Sequence, residues 1–117
     1  MTTKYGYAHE IDSNDPRQKL WEEQRVERGF DDTELWSLNH TLAQMIMPRL
    51  QAFKEKNFCY PCKLDNYEQW VEILEKMIFS FQMELNRDDL AYTDKWDDAK
   101  YKEGLQLFAE YYGDLWI

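Results

Sequence analysis

The apolar residues Leu35, Leu38, Leu42, Met45, Ile46, Leu50 and Phe53 recur at steps of three and four, and no other feature narrows the fold as much. That spacing returns each side chain to one face of a 3.6-residue repeat, so residues 31–56 read as one long amphipathic helix. Its start is written in the sequence. Asp31 stands where an N-cap belongs and Glu34 follows three residues later, the pattern of a reciprocal capping box. Phe30 and Leu35 take the two positions of a hydrophobic staple, while Trp36, Ala43 and Met47 widen the face. Pro48 interrupts the pattern, and an interior proline removes a backbone hydrogen bond at a cost of about 3 kcal/mol. A kink near Gln44 is expected, with the helix running on to Lys56; two helices broken at Met47 are the alternative.

Three more helices flank this one. Asp15-Pro16 supplies a cap and a first-turn proline for a helix to Arg28, which Gly29 should close in a left-handed conformation. Its stripe is thin (Leu20, Trp21, Val26), as in a helix lying on a surface. Residues 57–66 form a loop, after which Asn66 and Gln69 box the start of a third helix faced by Trp70, Leu74, Met77, Ile78, Phe81 and Leu85. Ile73 and Phe79 lie off that face and imply a second buried contact. A connector over 86–93 leads to a fourth helix capped by Thr93 or Asp94, with Trp96, Tyr101, Leu105, Phe108, Tyr112 and Leu115 on its face. Gly104 in mid-helix costs about 1 kcal/mol against alanine and so marks a close approach. Gly113 should end that helix, with Trp116 and Ile117 docked beyond it. Four glycines and three prolines are too few for the tight turns of an all-β chain. The expected fold is all-α: a compact bundle of about four helices over 15–117, preceded by an arm over 1–14 that is ordered only if something holds it.

The net charge of -9 disfavours direct nucleic-acid binding and docking on an anionic membrane, since both draw on lysine and arginine. Acidity serves solubility, steers a basic partner or imitates DNA. The N-terminus has no apolar secretion signal and no run reaches the length of a membrane span, so a cytoplasmic protein with Cys59 and Cys62 as reduced thiols is expected.

No catalytic set emerges. Cys59-Tyr60-Pro61-Cys62 has half a zinc site's ligands and no second cysteine pair. His40 has no nucleophile or acid at a spacing that would orient it, and calcium, phosphate-loop and nucleophile-elbow motifs are missing. The reading is of a non-enzyme needing no metal or cofactor. The binding candidates are Arg28, Trp36, Arg49, Tyr60 and Tyr67, because tryptophan, tyrosine and arginine dominate binding hot spots and arginine can grip a phosphate while a ring stacks on a base. Core packing for Trp36 and salt bridges for the two arginines compete with that role.

Arg28-Gly29-Phe30, the acidic Asp31/Asp32/Glu34, Trp36, Leu38, Leu42-Ala43 and Tyr60-Pro61 form an ordered pattern that continues to Gly104-Leu105-Gln106-Leu107-Phe108 and Leu115-Trp116. In this pattern the chain resembles a family of small, functionally uncharacterised proteins encoded by tailed bacteriophages and prophages. The resemblance covers roughly residues 28–117. Members often carry Asp where Asn39 stands and usually lack Cys59 and Cys62. It implies a phage protein working in the cytoplasm of a bacterial host and transfers no site residue. The expected function is engagement or inhibition of a host or phage protein, in counter-defence for example. A sponge for a nucleotide-like signal and a virion or assembly component are the alternatives. Self-association through Trp21, Ile73, Phe79 and Trp116 is also expected.

Overall fold

The computed structural model of the chain describes residues 4–116, whose regular structure is entirely helical. The helices are α1 (Arg17–Arg28), α2 (Leu38–Lys56), α3 (Tyr67–Leu85), the one-turn α4 (Arg87–Leu90) and α5 (Asp98–Tyr111). Short 3-10 turns occupy Ala8–Glu10, Asp32–Leu35 and Tyr112–Asp114. The all-α class expected from the apolar spacing is the class observed. Packing divides the chain into two compact units, Met1–Met45 and Ile46–Ile117, with α2 contributing to both. Helix α2 runs unbroken through Pro48, so the alternative of two helices separated at Met47 does not hold.

In the first unit, Asp15 accepts the Arg17 N–H at 2.9 Å and opens α1. Gly29 closes it at φ 87, donating its N–H to the Arg25 carbonyl at 3.0 Å. The Asp31/Glu34 capping box forms, with Glu34 Oε2 accepting the Asp31 N–H at 2.8 Å. It opens the 3-10 turn, however, and not α2, which begins only at Leu38. The reason is local. Asp31 is fully buried, and its carboxylate accepts from the Thr33 N–H at 2.9 Å and the Thr33 hydroxyl at 2.5 Å, a side-chain turn that competes with helix continuation. Arg25 Nη1 clamps the other carboxylate oxygen at 2.6 Å.

That corner alters which face of α2 is covered. Thr41, Ala43 and Leu50 are buried, whereas Leu35, Leu38 and Leu42, expected in the core, are about half exposed. Residues 4–14 also have an identifiable holder. The Thr33 hydroxyl accepts from the N–H groups of Tyr7 and Ala8 at 3.0 and 3.1 Å, and the Gln18 amide donates to the Ala8 and Ile11 carbonyls at 2.7 and 3.1 Å. Gly6 adopts φ 76 there, and a Cβ on it would lie 2.7 Å from Glu34 Cγ.

In the second unit, α3 packs along α5. Trp70, Leu74 and Met77 are buried at the centre, with the Phe53 and Tyr111 rings 6.5 and 5.6 Å from Trp70, and Phe81 meets Phe108 at 5.1 Å. Gly104 makes the approach possible: a Cβ on it would meet Ser80 Oγ at 1.8 Å and the Lys76 carbonyl at 2.3 Å. The Ser80 hydroxyl donates across the gap to the Tyr101 carbonyl at 2.7 Å.

Helix starts depart from expectation in detail. Asn66 caps α3 by accepting from the Gln69 N–H at 2.9 Å, but Gln69 Oε1 reaches back to the N–H of Asp65, not of Asn66. Helix α5 is capped by Asp97, not by Thr93 or Asp94, and α4 occupies part of the expected connector. The delay comes from Arg87. Its guanidinium donates to the Glu84 carboxylate and, at 3.1 Å, to the Tyr101 hydroxyl, while stacking 4.8 Å from the Trp96 ring. Trp96 is thereby fixed ahead of the helix, 4.9 Å from Tyr101. At the other end Trp116 is 74% exposed and not docked as expected, because the 3-10 turn Tyr112–Asp114 halts the helical repeat before it. Ile117 lies outside the described residues. Phe79 is not buried either; it is 38% exposed, with Lys100 Nζ 5.9 Å from its ring.

Candidate binding groove

Past the end of α2 the chain is pegged by Asn57. Its N–H donates to the Phe53 carbonyl at 2.8 Å, its side-chain oxygen accepts the Cys59 N–H at 2.9 Å, and its carbonyl accepts the Tyr67 hydroxyl at 2.6 Å. An asparagine bonding its own backbone two residues on makes an Asx turn, which lifts the following residues off the helix axis. The Pro61 carbonyl then accepts from the Leu64 N–H at 3.0 Å, closing the far side of the loop.

The arch so formed borders a groove of about 320 Å³, with Phe58, Tyr60 and Pro61 on one side, Trp70 among its walls, and Asp114 and Trp116 from the C-terminal turn. Its exposed rings set it apart from the core: Phe58 is 79% and Tyr60 44% exposed, beside Trp116. None of these three rings stacks on another ring or a cation among the described residues, whereas most other aromatics of the unit do. The Asp114 carboxylate has no hydrogen bond or ion pair there. Trp70 Nε1–H is buried without an acceptor.

The five residues proposed from sequence are divided between the two units. Arg28 and Trp36 belong to the first unit, and Arg49, Tyr60 and Tyr67 to the second. Arg28 Nη2 donates to Asp32 at 2.7 Å and its Nε to the Phe30 carbonyl at 3.1 Å, with the guanidinium 4.4 Å above the Phe30 ring. Trp36 is about half exposed, edge-on to buried Trp21 at 5.8 Å and parallel to Tyr7 at 6.2 Å. Arg49 is exposed. Tyr67 spends its hydroxyl on the loop, and only Tyr60 lines the groove. Phe58 and Asp114 escaped the sequence reading, which names Trp116 only as a docked residue and a self-association contact. Phe58 follows an asparagine that needs a tertiary partner to peg it, and Trp116 looked like core because apolar termini usually dock.

Cys59 and Cys62 are exposed free thiols on the arch. Among the described residues no group of three or more His, Cys, Asp or Glu is disposed to hold a metal ion. His40 lies parallel to Tyr7 at 6.4 Å with no hydrogen-bonded acid. Several acidic side chains are occupied within the fold. Asp31 and Glu34 are buried caps, Asp97 caps α5, and Asp98 pairs with Lys102 at 2.9 Å. The Asp32 carboxyl is held below its ordinary value of 3.8, first by the Gln24 amide and then by Arg28. Burial, aided by the hydrogen bond to Glu84, raises the Tyr101 phenol above 10.0. No described helix is long and apolar enough to cross a membrane. Comparison of the chain with protein-family models, with curated proteins and with solved structures gave no match.

Proposed function

We propose that this protein acts by contact, holding a partner protein in the groove between the 57–62 arch and the C-terminal turn. The observation that carries this reading is the set of three exposed, unengaged rings, Phe58, Tyr60 and Trp116, around one concavity. Rigid aromatic anchors of this kind supply contact area at low entropic cost and dominate interface energetics. The sequence pattern shared with phage-encoded proteins makes a bacterial cytoplasm the place of action and a host or phage protein the partner. Self-association belongs to the same proposal, with Trp116 the most exposed of Trp21, Phe79 and Trp116.

The nucleotide-sponge alternative asks of Arg28 a guanidinium that Asp32 and the Phe30 carbonyl already occupy. The test is affinity capture from bacterial lysate with the native chain and with Tyr60→Ala/Trp116→Ala. A protein retained by the native chain at least about tenfold better, as hot-spot truncation requires, supports the groove as the contact surface. Equal retention by both places the contact elsewhere and defeats the proposal.

A further inference from the structure

Building on that reading, we infer that the groove takes an arginine side chain presented by the partner protein. Three observations converge on a cation. The surfaces offered are flat rings, and the faces of tryptophan and tyrosine carry negative quadrupole charge that attracts a guanidinium or ammonium within about 6 Å. Among the described residues, the one charged residue that lines the groove is Asp114, a carboxylate without a side-chain partner. The nearby cation Lys63 is turned to other work, 4.2 Å over the Tyr111 ring and 4.0 Å from Glu110, so it does not neutralise Asp114. At larger scale, a chain of net charge -9 draws basic partners toward itself.

Arginine fits this constellation better than lysine. Its planar guanidinium is weakly hydrated, stacks on aromatic faces and presents paired donors that match both oxygens of a carboxylate. A lysine ammonium is compact and strongly hydrated, and it would lose its water shell for a single-point contact.

The test uses the full chain, 15N-labelled, titrated with the peptide Gly-Gly-Arg-Gly-Gly and observed by the indole N–H resonances of its five tryptophans. Citrulline in place of arginine keeps the shape and removes the charge; lysine keeps the charge and removes the plane. Saturable movement of the Trp116 and Trp70 indole signals, with citrulline about fivefold or more weaker (about 1 kcal/mol), supports the assignment. Asp114→Asn should bring the arginine peptide down to the citrulline level while the Trp21, Trp36 and Trp96 signals stay in place, which reports an intact fold. Equal binding of arginine and citrulline, or lysine as tight as arginine, overturns the arginine assignment, as does movement confined to the other indoles. Loss of lysate capture in Tyr60→Ala/Trp116→Ala alongside such a peptide failure leaves contact through the groove standing and removes only its ligand chemistry.

Discussion

At the scale of single residues, the clearest consequence concerns Gly104. In an open helix, glycine to alanine gains about 1 kcal/mol. Here the added methyl would meet Ser80 Oγ and the Lys76 carbonyl well inside contact distance, so Gly104→Ala should destabilise by about 1–3 kcal/mol in urea unfolding. Gly113→Ala, with open space at its Cβ position, should not. A second residue-scale prediction concerns Asp32. Its folded pKa is depressed, so its contribution is complete above the ordinary carboxylate range and disappears as pH falls through the lower folded value. NMR titration of its carboxyl carbon should give a midpoint below 3.8, and both Gln24→Ala and Arg28→Ala should raise that midpoint. Gly104 was readable in advance because a mid-helix glycine has a known cost. Asp32 was not, because its ties to Gln24 depend on a corner that sequence spacing does not describe.

Among elements, the Arg25–Asp31–Thr33 corner decides where α2 begins. The Thr33 hydroxyl donates to Asp31 and accepts two backbone N–H groups from residues 7 and 8, so it joins the N-terminal segment, the 3-10 turn and α1 through Asp31's contact with Arg25. Thr33→Val conserves volume and strands those groups in a buried setting. The expected loss is about 2–4 kcal/mol by urea denaturation, with increased amide exchange at Tyr7 and Ala8. The capping box was legible in Asp31 and Glu34, and the helix it was expected to open was not. A 3-10 turn and an α-helix share the same first-turn signature; burial of Asp31 against Arg25 separates them, and that is a tertiary fact. The same cause explains why Leu35, Leu38 and Leu42 read as core and stand half exposed. The start of α5 was missed likewise, because Arg87 reaches across to Trp96 and Tyr101 from another helix.

For the molecule as a whole, charge and exposure combine into a statement about association. If a basic partner is drawn in by a net charge of -9 and anchored by uncharged rings, raising salt should slow association strongly and leave dissociation nearly unchanged. Surface plasmon resonance with the captured partner at about 50 and 500 mM salt, a range in which the screening length shrinks severalfold, checks this. Dissociation accelerated by salt as strongly as association is slowed would point to ion pairs in place of ring contacts as the anchor. The helical class was visible from composition and spacing. The groove was not, since its walls come from residues around 58, 70 and 115 that only folding brings side by side.

The bond from the Tyr7 N–H to Thr33 spans 26 positions of chain. On a ribosome adding about 5–20 residues per second, the opening segment therefore waits about one to five seconds before the hydroxyl that receives it has been made. Until Thr33 has been added, the amides of Tyr7 and Ala8 lack the acceptor that fixes them in the finished fold.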